Sequence, residues 1–78
     1  MVIKVLGSGC KKCQRLETRI KDVLRKENIE AQVEKVTDMM EISAYNVLST
    51  PAMVINDKVV SSGKLLENEE ISALIKAN

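Results

Sequence analysis

Cys10 and Cys13 stand in Gly7-Ser8-Gly9-Cys10-Lys11-Lys12-Cys13, where a short apolar run ends and a helical repeat begins. They are the only two cysteines in 78 residues, and the chain has no histidine. This placement restricts the fold. A strand has to stop at Leu6, the chain has to turn at the glycines, and a helix has to start at the first thiol. Near a βαβ pattern in an intracellular protein, C-x-x-C spacing reads as a dithiol redox motif. The rival is a soft-metal half-site, because thiolates select copper(I) or zinc.

The rest of the chain alternates strand and helix signals. Val2 to Leu6 is apolar apart from Lys4 and reads as a strand running into a loop. From about Lys11 to Glu27, the residues Cys13, Leu16, Ile20, Val23 and Leu24 recur mostly at steps of three and four, the stripe of an amphipathic helix. Asn28 is suited to end it in the left-handed conformation. Ala31, Val33 and Val36 mark a second strand. Thr37-Asp38 supplies an N-cap for a short helix through Met39, Met40, Ile42 and Tyr45, with Asn46 ending it. Thr50-Pro51 punctuates the chain. Ala52–Ile55 and Lys58–Ser61 flank Asn56-Asp57, a two-residue hairpin loop in which both residues tolerate positive φ. After Gly63, a last helix runs from Glu67 to about Ala77, with acids in its first turn and Lys76 in its last. The order is β-α-β-α-β-β-α in one α/β domain, residues 1–78. Met39, Met40 and Met53 are expected as core filling, since thioether metal sites need further soft ligands.

Composition narrows the function classes. The chain is 45% hydrophobic, but its only aromatic residue is Tyr45, so the core is aliphatic. A net charge of +1 gives no reason to expect nucleic-acid binding, which calls for a clustered basic surface. No apolar run approaches the roughly 18 residues of a membrane span. The first residues are too short and too alternating for a signal peptide. A cytoplasmic setting is therefore expected. There the redox buffer keeps thiols reduced, and a C-x-x-C is catalytic or metal-binding rather than structural.

The chemistry follows from where each thiol sits. Only the thiolate attacks, and an ordinary cysteine is mostly protonated at neutral pH. Cys10 lies at the helix entrance, where unsatisfied N–H groups and the macrodipole favour an anion. Lys11 and Lys12 add positive charge and are expected to tune the pKa further. Gly9 leaves the approach open, and Cys13 lies one turn deeper and more shielded. Cys10 is thus expected to attack a substrate disulfide, and Cys13 to resolve the mixed disulfide. Thr50-Pro51 precedes a strand that this element order brings beside the first helix. A cis peptide is expected there, exposing the Thr50 backbone to an extended substrate segment by a small form of strand addition.

Taken together, these residues resemble a known family. The C-x-x-C after the first strand, Thr50-Pro51 before the third and the β-α-β-α-β-β-α order are similar to a thioredoxin-fold protein. The resemblance is to the very small glutaredoxin-like thioredoxins of archaea and bacteria, the group also labelled redox-active disulfide protein 2. It covers nearly the whole chain. Tyr45–Ala52 is similar to the family stretch leading into its cis-proline, and Gly63 falls where the family places a glycine after the hairpin. The resemblance implies a four-stranded mixed sheet flanked by three helices. It further implies Cys10 as nucleophile, Cys13 as resolving thiol, and Pro51 shaping a substrate groove with Gly9 and Thr50. This chain departs from ordinary thioredoxins at the motif, where Lys11-Lys12 replace the Gly-Pro of Trp-Cys-Gly-Pro-Cys.

The expected function is thus a monomeric thiol-disulfide oxidoreductase that reduces protein disulfides. It would draw electrons from a thioredoxin-reductase-like donor and need no cofactor beyond its own cysteine pair and no metal. Two alternatives stand beside it. One is a copper- or zinc-carrying C-x-x-C protein. The domains of that kind run β-α-β-β-α-β, place Met-Thr before the first cysteine, and leave Thr50-Pro51 without a role. The other is a docking or redox-sensing module without turnover.

Overall fold

A computed structural model describes residues 1–78. Its elements follow the expected order: β1 (Val2–Leu6), α1 (Lys11–Lys26), β2 (Gln32–Val36), α2 (Met39–Ala44), β3 (Ala52–Ile55), β4 (Lys58–Ser62) and α3 (Asn68–Lys76). The strands form one mixed sheet in the order β2-β1-β3-β4. β1 pairs parallel with β2 and antiparallel with β3, and β3 pairs antiparallel with β4. The α/β architecture of a four-stranded mixed sheet with three helices is the one expected from the sequence. No helix is long and apolar enough to cross a membrane.

Strand composition explains this order. β3, Ala-Met-Val-Ile, is buried at every position, as a central strand covered on both faces must be. β2 is an edge strand and carries Gln32, Glu34 and Lys35, with only Val36 fully buried. Charged side chains on an edge discourage pairing with another sheet. Asn56 and Asp57 both take positive φ, 49° and 68°, the backbone of a tight two-residue hairpin whose twist matches the strands. The Asn56 side chain and backbone then tie this turn to Val2, with hydrogen bonds of 3.0 and 2.9 Å.

The two faces of the sheet are covered unequally. On one, Ile3, Val5, Met53 and Ile55 pack beneath α1 and α3 in a cluster of 11 buried residues. On the other, Leu6, Val36, Ala52 and Val54 meet only Ile42 of α2, in a cluster of five. This asymmetry corrects one expectation. Met53 is completely buried, but Met39 and Met40 are 66% and 83% exposed rather than core filling. α2 has six residues and turns only Ile42 fully into the core, so its first-turn methionines face solvent. Helix α1 ends as expected, with Asn28 at φ 59° just beyond it.

Candidate functional site

Cys10 is the N-cap residue of α1, with extended backbone angles of φ −69° and ψ 164°. Its carbonyl accepts the first helical hydrogen bond, from Gln14 N–H at 3.0 Å. Its sulfur does what a Ser or Asp oxygen does at most helix starts: it accepts from the Cys13 backbone N–H, at 3.3 Å. A thiolate is a better acceptor than a thiol, so the cap favours the ionised form. Cys10 is exposed, and Cys13, one turn further along, is buried with 5% of its surface accessible.

The two thiols are pushed in opposite directions. The Cys10 pKa is lowered, first by a hydrogen bond from the Cys13 thiol and then by the backbone N–H of Cys13, with smaller help from those of Lys12 and Cys10 itself. The Cys13 pKa is raised, first by burial and then because its thiol donates to Cys10. The side-chain charges of Lys11 and Lys12, expected from the sequence to tune Cys10, are not among the leading causes, to which Lys12 contributes only its backbone N–H. Both are exposed, and exposed charges are screened by water and salt.

The glycines around the pair act differently from one another. Gly9 has φ 87°, and a Cβ there would meet nothing within 4 Å, so its contribution is conformational rather than one of clearance. Gln14 donates from its side chain to the Gly9 carbonyl at 3.2 Å, which holds this turn against the helix. Gly7 is buried and continues the β1–β2 pairing through its N–H to the Val36 carbonyl, 3.0 Å. A Cβ on Gly7 would overlap the Cys13 sulfur and come within 3.8 Å of the Thr50 Cβ. This glycine is what lets the buried thiol sit against the end of β1.

The approach of Thr50 to Gly7, the residue against which Cys13 sits, brings the second expected segment to the first. The Thr50–Pro51 peptide bond is cis, and Pro51 is buried while Thr50 is exposed. Pro51 accepts from the Gly63 N–H at 2.9 Å. Gly63, with φ 72°, also leaves room for the Ser49 hydroxyl, which any side chain there would displace. Leu48, two residues before Thr50, is fully exposed at 100%. Sequence reading did not single out Gly7, Gln14 or Leu48. Gln14 could have been noted from its i+5 reach to Gly9, whereas the clearance at Gly7 depends on how α1 packs.

Behind Cys13 lies a small cavity of about 50 Å³, bounded by Gly7, Cys13, Gln14, Lys35 and Thr37 among others. A space of this size exceeds the roughly 10–15 Å³ that one water requires, and three of its walls are polar. Lys35 is held there by Glu17, 3.6 Å away, which also pairs with Lys21 at 3.3 Å.

A mixed four-stranded sheet with a dithiol at the mouth of its first helix defines a thioredoxin-like protein. Comparison with known proteins agrees: the chain belongs to the thioredoxin-domain family, whose model matches residues 1–76. It is 35% identical over 77 residues to a thioredoxin of Methanocaldococcus jannaschii, an alignment spanning 99% of this chain and 88% of that protein. It is 27% identical over 75 residues to a thioredoxin of Methanothermobacter thermautotrophicus, spanning 96% and 97% of the two chains. Family and relatives together support a thiol-disulfide oxidoreductase-like role.

Proposed function

We propose that this protein reduces disulfides of other proteins by cycling Cys10 and Cys13 between dithiol and disulfide. The observation that carries the reading is the contrast between the two thiols: one exposed, capped and lowered, the other buried and raised. The Cys10 thiolate attacks one sulfur of a substrate disulfide. A Cys10–substrate disulfide forms, and the other substrate sulfur leaves as a thiolate and takes up a proton. Cys13 then gives up its proton and attacks the Cys10 sulfur. The Cys10–Cys13 disulfide forms and the second substrate thiolate leaves, so that two electrons and two protons have passed to the substrate. A proton leaving Cys13 has a route through the cavity behind it, past Thr37 and Lys35. Thr50, beside Gly7, and Pro51 after it shape the surface on which an extended substrate segment lies, with Gly9 as its opposite rim. Leu48 offers that segment an apolar contact. The cycle closes when a thioredoxin-reductase-like dithiol donor reduces the protein again. The cysteine pair is its only redox centre, in a cytoplasmic monomer.

The test is a redox titration in graded dithiothreitol buffers. Free thiols are trapped by alkylation, the labels on Cys10 and Cys13 are counted, and an intact native mass is recorded alongside. Reversible loss of both labels together, at a potential within about −180 to −300 mV, is expected for a working dithiol couple. Thiols that stay reduced throughout, or a native mass carrying copper or zinc, would overturn the reading in favour of a metal carrier. A couple that titrates but never turns over a protein disulfide would leave a sensor.

A further inference from the structure

The cycle leaves the cations at the start of α1 without a use. Of the 12 lysines and arginines, seven lie within ion-pair distance of an acid, and Lys11, Lys12 and Arg15 are among the five that do not. Nor is an acid placed to meet them. Residues 1–16 contain none, and Asn46–Pro51 at the other side of the site carry no charge. The fold gains nothing from this arrangement, since cations in a first helical turn oppose the macrodipole.

Two of these cations belong to a groove. Lys11, Gln14, Arg15, Thr18 and Arg19, all on α1, line a shallow groove open to solvent along the exposed side of the helix, with no apolar residue among them. It begins at the residue after Cys10. Its end remote from Cys10 is fixed, because Arg19 donates to the Leu66 carbonyl at 2.8 Å and sits 3.6 Å from the Glu67 carboxylate. Lys11, Arg15 and Arg19 recur every fourth residue, a rise of about 6 Å per step. Alternate side chains of an extended peptide are spaced by nearly the same distance, about 6.6 Å.

We infer that this groove is a docking surface for an acidic, extended segment of a partner protein, whose disulfide it delivers to Cys10. The delivery step rests on the oxidoreductase reading, whereas the binding does not. A protein segment fits better than a nucleic acid. The chain as a whole is only +1, and its sole aromatic, Tyr45, packs on the opposite face of the sheet from α1, so no stacking surface adjoins the groove. Glu67 takes up part of the Arg19 charge, which leaves Lys11 and Arg15 as the principal contacts and Lys12 at the edge. Such charges act mainly on the association rate and lose their effect as salt rises.

The experiment compares two peptides that share one intramolecular disulfide and differ only in carrying Glu or Lys at alternate flanking positions. Their reduction rates are measured with wild type, Arg15→Gln, Arg15→Glu and the double variant Lys11→Glu with Arg15→Glu. The rate ratio is the readout, because both peptides meet the same thiol and any change in its pKa cancels. Wild type is expected to favour the acidic peptide by about tenfold or more near 10 mM salt, with the preference largely gone near 200 mM. Arg15→Gln should shrink the ratio and the double reversal invert it. A ratio near one, or one that the reversals leave unchanged, overturns the proposal. If wild type reduces neither peptide, the oxidoreductase reading fails separately. Fluorescence anisotropy with disulfide-free versions then decides the groove. Salt-sensitive binding of the acidic peptide that Arg15→Glu weakens supports it. No such binding, or tighter binding of a single-stranded oligonucleotide, overturns it.

Discussion

A hydrogen bond from the Cys13 thiol is the first cause of the lowered Cys10 pKa, ahead of the backbone N–H groups at the helix entrance. Substitutions at Cys13 should therefore reach Cys10. Replacing Cys13 by Ala removes the thiol donor, whereas Ser keeps a hydroxyl in its place. Alkylation of Cys10 with iodoacetamide, followed against pH, should show its midpoint rising in Cys13→Ala and rising less in Cys13→Ser. Equal midpoints in the two variants and wild type would leave the backbone as the whole cause. The reciprocal variant behaves differently. In Cys10→Ser, Cys13 should still titrate above an ordinary thiol, because burial is its leading cause, though by less than in wild type. The same residues separate the roles. Cys13→Ser should accumulate substrate adducts on Cys10, and adducts on Cys13 in Cys10→Ser at a matching rate would reverse the assignment.

At the level of elements, the glycines on either side of the strand-to-helix turn make opposite predictions. Ala at Gly7 would push a methyl group into the Cys13 sulfur, an overpacking that typically costs about 1–3 kcal/mol. Urea unfolding should show that loss. On the proposed cycle, the second phase of the reaction with a chromogenic aromatic disulfide, in which Cys13 would resolve the Cys10 adduct, should change rate more than the first. Ala at Gly9 meets no atom, and its penalty is the positive φ alone, of order 1–3 kcal/mol. Asn, which tolerates that region, should recover much of the loss at Gly9 and none at Gly7. Equal recovery at both would remove the distinction between clearance and conformation. These two residues also mark what the sequence made legible. The turn at Gly9 and the left-handed residues Asn28, Asn46, Asn56 and Asp57 are local chemistry, and they stand where residue type put them. The 16-residue α1 showed its buried stripe because four turns repeat it. α2 has too few turns for any repeat to choose a face, so Met39 and Met40 were misplaced. The contact between Gly7 and Cys13 exists only once α1 is docked on β1, and nothing in the local pattern encodes it.

For the whole molecule, the two opposed pKa shifts couple redox state to stability. A chain of this length has a total unfolding free energy of about 4–12 kcal/mol, so ionisation of two thiols is a visible fraction of it. Cys10, lowered in the fold, adds stability that is fully present above the unfolded thiol pKa and is lost as pH falls through its folded value. Cys13, raised in the fold, adds stability below the unfolded pKa and loses it as pH rises through its own folded value. Between the lowered Cys10 value and the ordinary thiol range, the reduced protein should therefore gain stability as pH rises. Beyond that range, deprotonation of Cys13 reverses the trend. The oxidised protein has neither thiol, so it supplies the control within the same fold. The melting temperature of the reduced form, measured relative to the oxidised form, should climb with pH through the first window and turn down above it. A difference that stays flat across the first window would mean that the folded state does not hold the Cys10 thiolate. The same cycle ties this to function, since whatever stabilises the folded thiolate also stabilises the reduced state and makes the couple more oxidising. Cys13→Ala, by raising the Cys10 pKa, should accordingly flatten the rise in melting temperature of the reduced protein with pH, relative to Cys13→Ser.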